Sequence, residues 1–339
     1  MRYVITGGSG YIGTRLVDLL ARREDTERIV ICDLMPPRGY KPKTEFERLD
    51  VRDRDAVRSL VERSKPDAVV HLAFILNPSH DEHLMYDVDV NGTQNVLDAA
   101  AEAGTGQVLV TSSATAYGAF PDNPVPLTED HPVRGVAGFP YARDKTESDR
   151  LCQLWAKNHP DRVMTIVRPC IVFGPNVDNY LVRLWTKQPF AVEAGGNLDQ
   201  RIQFVHEDDV VEAVTALLLG RHAGAFNVAG AGDMTTRECA EMIGSPIRKM
   251  PLRAYRALAR AMWSAHLSEA PPGQIAFGIH PWIVSTEKLE RTTGWRPAHT
   301  SRETFETTMR AHGKLPPAEA PATSAAGNGL PAEVSSGVA

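Results

Sequence analysis

Short apolar runs rich in β-branched residues alternate with amphipathic stretches along the first two thirds of the chain. The runs include RYVITG, RIVICD, DAVVHLA and QVLVTSS, and two more, VMTIVRP and AFNVAG, follow later. Between them, stretches such as GTRLVDLLARRE and RDAVRSLVERS repeat apolar residues at helical spacing. Apolar strands separated by helices predict a parallel sheet covered on both faces. The pattern therefore indicates an α/β, doubly wound fold.

The alternation becomes irregular after residue 175. We expect one domain over residues 1–175, with its sheet completed by residues 201–230, and a smaller C-terminal lobe formed by residues 176–200 and 231–312. Residues 313–339 are rich in Ala, Pro, Gly and Ser, so we predict a disordered tail. The lobe contains RAYRALARAMWSAH, a helix with an arginine-rich face. We interpret that face as solvated and keep a calmodulin or membrane contact as the alternative.

Composition and charge narrow the range of partners. The 339 residues carry 37 Lys and Arg against 42 Asp and Glu, a net charge of −5, so we expect no nucleic acid partner. No apolar run reaches the roughly 18 residues of a membrane span, and the start, MRYVITGG, lacks signal-peptide features. We therefore expect a cytoplasmic protein without a membrane partner. The cysteines are widely spaced, which predicts reduced thiols and no metal site: Cys32, Cys152, Cys170 and Cys239.

A glycine-rich loop, TGGSGYIG, joins the first predicted strand to the first helix. Gly7, Gly10 and Gly13 have the spacing that allows a tight turn, close approach of a pyrophosphate to the backbone, and helix–strand packing. The helix N-terminus offers free N–H groups to the phosphates. Because the loop lies in the required strand–turn–helix context, it predicts a dinucleotide-binding (Rossmann) domain.

Asp33 ends the second predicted strand, about 20 residues beyond the glycine loop, where an acceptor for a ribose 2′-OH is expected. A carboxylate repels a 2′-phosphate, and Leu34 is not basic, so NAD is favoured over NADP. Arg38 is close enough in sequence to keep NADP as an alternative.

Tyr141 and Lys145, in FPYARDK, are separated by one helical turn and would share one helix face. An unperturbed tyrosine has a pKa of about 10, too high for a base at neutral pH. A nearby ammonium group favours the phenolate and lowers that pKa. The pair therefore predicts a tyrosine that exchanges a proton with a substrate hydroxyl.

These motifs together resemble the extended short-chain dehydrogenase/reductases, the NAD-dependent epimerase/dehydratase family. The resemblance covers about residues 1–310 and rests on eight ordered motifs: TGGSGYIG, DVRD, HLA, NGTQNVLDAA, SSATAYG, YARDK, RPCIVFGP and RIQFVHEDDVV. Within the family, SSATAYG is most similar to the UDP-galactose and UDP-glucose 4-epimerases.

The resemblance implies a role for each matching residue. Tyr141 would be the acid/base, Lys145 would bind the nicotinamide ribose and lower the pKa of the tyrosine, and Ser113 would hold the reacting substrate oxygen, with Ser112 as the alternative. Arg201 would grip a substrate diphosphate, and Asn176 or Asn179 would supply a polar contact that the family's usual asparagine makes where this chain has Ile171. The residues implied to bind NAD are Gly7, Gly10, Tyr11, Ile12, Gly13, Asp33, Asp50, Val51, Leu72, Ala73, Asn91, Tyr141 and Lys145.

The two residues after Ser113 narrow the range of reactions. Family dehydratases carry Asp-Glu and related decarboxylases a glutamate in this segment, whereas this chain has Ala114 and Thr115, so we reject both reactions. We therefore expect a sugar-nucleotide epimerase that recycles NAD. The alternatives are an alcohol dehydrogenase or ketoreductase acting on a non-nucleotide molecule, which Ile171 would suit, and an NAD(H)-sensing protein without turnover. The resemblance also implies a homodimer that pairs the helices around residues 92–103 and 142–157.

Overall fold

The computed structural model describes residues 1–39 and 41–317. Of the predicted disordered tail, residues 318–339 lie outside the described residues. Residues 313–317 are described, and Leu315 packs against an apolar cluster of the C-terminal half.

Thirteen strands occur in the described residues: β1 (Arg2–Thr6), β2 (Arg28–Asp33), β3 (Thr44–Arg48), β4 (Ala68–His71), β5 (Gln107–Thr111), β6 (Val163–Pro169), β7 (Ile171–Phe173), β8 (Ala191–Glu193), β9 (Arg201–Ile202), β10 (Phe204–His206), β11 (Gly224–Val228), β12 (Met234–Thr235) and β13 (Ile247–Lys249). The α-helices of the same residues are α1 (Tyr11–Ala21), α2 (Arg54–Ser64), α3 (Glu82–Tyr86), α4 (Gly92–Glu102), α5 (Pro140–Asn158), α6 (Tyr180–Thr186), α7 (Glu207–Leu219), α8 (Thr236–Met242), α9 (Leu252–Ser264), α10 (Ile275–Ile279), α11 (Glu287–Thr293) and α12 (Ser301–Ala311).

The main sheet has seven parallel strands in the order β11-β6-β5-β4-β1-β2-β3. Its two faces bury separate apolar clusters. Tyr3 and Ile5 of β1 enter a cluster with residues of α1 and α7, whereas Val4 enters a cluster with residues of α2, α4 and α5. Strands buried on both faces explain the continuous apolar runs. The predicted doubly wound α/β fold is confirmed.

The remaining strands form two-stranded ribbons outside the main sheet. β7 pairs with β10, β9 with β12, and β8 with β13. A third apolar cluster joins these segments to α6, α8 and α12 through Phe173, Phe204, Phe305 and Met309. Part of the predicted lobe instead joins the main domain, since Leu289 of α11 and Trp295 belong to the cluster on one face of the main sheet. The predicted division into two units stays a prediction.

Two elements differ from the sequence pattern. β3 was not predicted, because its sequence, TEFER, alternates charged residues with a single large apolar one at the exposed sheet edge. The helix expected around residues 92–103 is preceded by a π-helical turn, Asp87–Asn91, which continues into α4. A π turn holds an extra residue, so it changes which side chains face inward.

The structure bears on the expectations about membrane segments, the arginine-rich helix, the cysteines and metal binding. None of the described helices is long and apolar enough to cross a membrane. The arginines of α9 are exposed, and this helix fully buries none of its residues. All four cysteines are buried free thiols. Within the described residues no three His, Cys, Asp or Glu side chains cluster closely enough to hold a metal ion.

Candidate active site

The glycine loop lies between the ends of β1 and β4. Gly7 has a φ of +70°, and a Cβ there would lie 2.6 Å from the backbone nitrogen of Ala73. A Cβ on Gly13 would collide with the Gly7 carbonyl oxygen. Gly10 is the N-cap of α1, without a side-chain cap or an acidic residue in the first turn. These features leave a backbone cradle, bordered by Leu72 and Ala73, with free N–H groups for a pyrophosphate.

Asp33 lies at the carboxyl end of β2 beside this cradle. Its carboxylate accepts hydrogen bonds from the backbone N–H groups of Ser9, at 3.1 Å, and Leu34, at 2.8 Å. The first of these bonds ties the carboxylate to the glycine loop. A fixed acceptor at this place fits the ribose hydroxyls of NAD and repels a 2′-phosphate.

Asp50 and Val51 lie next along the same edge. The Arg52 side chain binds the Asp50 carboxylate and holds the pKa of that carboxyl below its usual value. Val51 is buried, and a Cβ on Gly92 would lie 2.6 Å from its Cγ2. The first turn of α4 can therefore lie against Val51 only because residue 92 is glycine.

Ser113 and Tyr141 lie together where β5 ends and α5 begins. The Ser113 hydroxyl accepts hydrogen bonds from the Thr115 N–H at 3.1 Å and from the Thr115 hydroxyl at 2.9 Å. It lies near enough to the Tyr141 phenol to lower the pKa of that group. Ser112, the alternative candidate, instead donates to Asp149 at 2.7 Å in the interior. The structure therefore brings Ser113, and not Ser112, to the tyrosine.

Lys145 is buried one helical turn after Tyr141. Its Nζ donates to the Thr111 carbonyl oxygen at 2.7 Å, lies 3.1 Å from the ring centroid of Phe74 and lies 5.7 Å from that of Tyr141. The carbonyl and the aromatic face both attract an ammonium group. No local sequence signal identifies Phe74, because its position depends on the loop after β4.

The expected lowering of the tyrosine pKa is not seen in the structure of the protein chain. Burial raises the pKa of Tyr141, the hydrogen bond to Ser113 lowers it, and the Asp89 carboxylate raises it further. Burial also lowers the pKa of the Lys145 ammonium. Desolvation of both groups outweighs their attraction, so the protein chain by itself favours the protonated tyrosine.

Asn91 does not reach this cluster. Its side chain is exposed and donates to Asp87 at 2.9 Å. The role of Asn91 at the cofactor site was implied by the family resemblance, whereas in the structure the π turn places Asp89 inward. Asp89 is fully buried and accepts the Ile75 N–H at 2.8 Å. Asp89 is the inward-facing polar residue of this turn that sequence reasoning missed.

A cavity of about 300 Å³ lies between the loop after β4 and the segment before α6. Phe74, Ile75, Leu76 and Asn77 line one side, and Val177, Asp178 and Asn179 line the other, with Tyr11 between them. The Asn179 side chain caps α6 by accepting the Val182 N–H at 3.1 Å. The cavity lining is mainly apolar and includes Asp178, but among the described residues it contains no basic side chain.

Asn176, predicted to contact substrate, does not line this cavity. Its side-chain amide donates to Glu207, a buried carboxylate at the start of α7. Tyr11 and Arg15 donate to the same carboxylate. The Tyr11 hydroxyl, expected at the cofactor, is therefore directed to Glu207, while Ile12 packs against the core of the sheet.

Arg201 also lies outside the cavity lining. Its side chain is 58% exposed and forms an ion pair with Asp233 at 2.6 Å. The pair joins the ribbon of β9 and β12. A diphosphate would have to compete with Asp233 for this guanidinium group.

Comparisons with known proteins identify the family and the fold of this chain. The family model described as "NAD dependent epimerase/dehydratase family" matches residues 3–229. An uncharacterized protein of Mycobacterium tuberculosis is 24% identical over 323 residues, which cover 92% of this chain and 84% of that protein.

Two solved structures share the fold. The UDP-glucose 4-epimerase of Thermus thermophilus in complex with NAD has a TM-score of 0.71 and 23% identity, covering 92% of this chain and 99% of that one. The dTDP-glucose 4,6-dehydratase of Streptomyces venezuelae has a TM-score of 0.70 and 23% identity, covering 93% and 97%. The chain belongs to the NAD-dependent epimerase/dehydratase family, and it is an enzyme of the extended short-chain dehydrogenase/reductase type with NAD as its cofactor.

Proposed function

We propose that the protein is a sugar-nucleotide epimerase, similar to the 4-epimerases, that passes a hydride to tightly bound NAD and takes it back. The observation that carries the proposal is the arrangement after β5. Ser113 lies near enough to Tyr141 there to lower the pKa of the phenol, and the following Ala114 and Thr115 provide no group that titrates near neutral pH. Hydride transfer needs one acid/base, whereas elimination of water needs a second.

Each residue has a distinct part in the proposed reaction. Ser113 holds the substrate hydroxyl, and Tyr141 removes its proton as the carbinol carbon becomes a carbonyl. NAD would supply the site with a hydride acceptor and donor, and its positive nicotinamide ring would favour the phenolate form of Tyr141. Lys145, held by Thr111 and Phe74, would orient the nicotinamide ribose. Tyr141 would return the proton to the substrate oxygen as the epimer forms.

The cradle and the acceptor at Asp33 support the proposed cofactor contacts. Gly7, Gly10 and Gly13 allow the pyrophosphate to reach the α1 N-terminus. The Asp33 carboxylate accepts hydrogen bonds from the ribose hydroxyls. Leu72 and Ala73 border the groove, and Asp50 and Val51 lie at the adenine end.

A second candidate is a dehydrogenase or ketoreductase that acts on a non-nucleotide molecule. The described cavity lining contains no basic side chain, Arg201 is paired with Asp233, and residue 171 is an isoleucine. A diphosphate is best held by guanidinium groups. These three observations favour a smaller and less charged substrate.

The deciding experiment is to denature the purified protein and quantify the nucleotide released. An epimerase must keep its reduced cofactor until the hydride returns, so we expect nearly one NAD(H) per chain. The protein is then incubated with UDP-galactose, UDP-glucose and dTDP-glucose, and the sugars are followed by NMR. Cofactor-free protein that reduces added NAD with a non-nucleotide alcohol would support the second candidate instead.

Tyr141→Phe separates both candidates from a protein that only senses NAD(H). We expect this variant to bind NAD and to lose turnover by at least about 100-fold, the usual contribution of a general acid/base. Tyr3→Phe is the matched control, because the Tyr3 hydroxyl is buried and has no hydrogen-bond partner among the described residues. Unchanged turnover in Tyr141→Phe would contradict the proposed mechanism.

A further inference from the structure

Several titratable groups surround the buried Lys145, beyond the residues that contact its ammonium group directly. The titratable groups that act on Lys145 or on its neighbour Asp89 are Tyr141, Asp144, Asp149 and Cys152 of α5 and His71 of β4. Most of these groups are neutral or are already satisfied by another partner.

The two other carboxylates each have their own cation. Asp149 is held by the buried Arg168 through two hydrogen bonds of 2.8 Å. Asp144 accepts from Arg143 at 2.7 Å. Both carboxylates are therefore paired, and Asp149 acts on Lys145 less strongly than Asp89 does.

The uncharged neighbours cannot balance the positive charge of Lys145. Burial holds the pKa of His71 down to about 3, so this imidazole is neutral at physiological pH. Burial raises the pKa of the Cys152 thiol, which keeps it protonated. Asp89 is the remaining carboxylate.

Asp89 is fixed against the lysine face of α5. Its backbone carbonyl oxygen accepts the Ser148 hydroxyl at 2.7 Å, and Ser148 follows Lys145 by three residues on the same helix. The Thr93 hydroxyl donates to the same oxygen at 2.6 Å. Because residues three apart share a helix face, the Ser148 bond places the backbone of residue 89 against the face of α5 that carries Lys145.

The two oxygens of the Asp89 side chain are used unequally. Oδ1 accepts the Ile75 N–H at 2.8 Å, while Oδ2 is buried without a hydrogen-bond partner among the described residues. A buried carboxylate with an unsatisfied oxygen is costly unless a nearby positive charge offsets it. Burial raises the pKa of the Asp89 carboxyl and lowers the pKa of the Lys145 ammonium, and the charge of each group opposes the shift of the other. The two described side chains form no direct ion pair.

We propose that Asp89 is the internal counter-charge of Lys145 and a positioning residue for the Tyr141–Lys145 unit. The inference rests on the proposed role of that unit. The Asp89 carboxylate stabilises the ammonium form of Lys145 in a site where burial favours the neutral amine. The same negative charge opposes ionisation of Tyr141. Asp89 therefore sets the charge state of both groups, and it does so in the same direction, toward the protonated form.

The direct test is to titrate Lys145 by NMR in protein labelled with carbon-13 at the lysine ε-carbons, with Lys145→Met to assign the signal. In Asp89→Asn, which keeps the acceptor for Ile75, we expect the pKa of Lys145 to fall by about one unit or more. Asp87→Asn, on the exposed side of the same turn, should leave it unchanged. An unchanged Lys145 titration in folded Asp89→Asn would overturn the proposal.

A reciprocal measurement covers the case in which Asp89→Asn does not fold. Lys145→Met should raise the pKa of the Asp89 carboxyl, followed by its carbon-13 signal in aspartate-labelled protein. An unshifted Asp89 signal would overturn the proposal. Neither titration needs a substrate, so failure of the proposed reaction is distinguishable from failure of the Asp89–Lys145 coupling.

Once a substrate is identified, the pH dependence of the reaction rate provides a further test. Asp89→Asn should move both limbs of the pH–rate profile to lower pH, because Tyr141 and Lys145 each lose a proton more easily. A residue that only supports the fold would lower the rate without moving the limbs, and that result would overturn the positioning role.

Discussion

Arg168 and Asp149 meet in the interior through two parallel hydrogen bonds. The Arg168 Nε and one terminal nitrogen each donate to a different oxygen of Asp149 at 2.8 Å, and both side chains are almost completely buried. Arg168 lies on β6 and Asp149 on α5, the helix that carries Tyr141 and Lys145. Ser112 donates to the same carboxylate at 2.7 Å. The pair thus fixes the helix of the candidate site to the sheet.

Replacing Arg168 with Met should lower the free energy of unfolding by about 3–5 kcal/mol, because it leaves a buried carboxylate without its cation. Urea unfolding followed by circular dichroism measures the loss. The double variant Arg168→Met/Asp149→Leu should recover part of it, since neither charge then remains. Additive losses in the double variant would contradict the pairing.

Gly13→Ala should weaken NAD binding by at least about tenfold, equivalent to 1.4 kcal/mol. The added Cβ would collide with the Gly7 carbonyl oxygen and lie 2.7 Å from the Gly8 Cα, so the loop backbone must move. Isothermal titration calorimetry with NAD measures the change. Gly278→Ala is the control, since its nearest atom would be 3.8 Å away. Equal affinity in the two variants would contradict the cradle.

Asp33→Asn should reduce the preference for NAD over NADP by about tenfold or more. The amide keeps an oxygen for the Ser9 or Leu34 N–H but loses the charge that repels a 2′-phosphate. Dissociation constants for both cofactors give the ratio. The exposed Asp25→Asn is the control. An unchanged ratio would show that Asp33 does not select the cofactor.

His71 should make the protein less stable in acid. Burial lowers its pKa to about 3, below the ordinary 6.5, so the unfolded chain binds the extra proton first. Its contribution to the free energy of unfolding is complete above pH 6.5 and is lost as pH falls toward 3, at up to about 1.4 kcal/mol per pH unit. His71→Gln should show a shallower decline between pH 6 and 4 in urea unfolding. Parallel curves for the two proteins would refute this assignment.

The implied homodimer makes a prediction about Leu154. This side chain is 55% exposed on α5, and Tyr86 on the adjoining α3 is 39% exposed. If α4 and α5 pair between two copies, Leu154→Glu should convert a dimer into a monomer in sedimentation velocity at micromolar concentration. Leu258→Glu, on the exposed side of α9, should not. A wild-type protein that sediments as a monomer would exclude the predicted pairing.

The sequence was sufficient for the elements whose signals are local. The apolar runs predicted the central strands, and the bounds of α2 match RDAVRSLVERS. Ser113, Tyr141 and Lys145 meet because each follows a strand end or a helix start that the motifs identify.

The remaining features depend on contacts between distant segments. The edge strand β3 has too few apolar residues to be distinguished from a loop. The resemblance implied Asn91 as a site residue, but the π turn, which no local sequence signal reported, places Asp89 inward. Glu207 binds Asn176 and Tyr11 only because residues far apart in the chain meet, and no local pattern reports such a meeting.

The shared carboxylate of Glu207 links two parts of the molecule mechanically. Tyr11 and Arg15 connect it to the helix that begins at the glycine loop, and Asn176 connects it to the segment that leads into the cavity wall. A movement of either segment therefore alters the hydrogen bonds that the other segment makes to the Glu207 carboxylate. Substitutions at this anchor should therefore weaken the retention of NAD and the binding of substrate together.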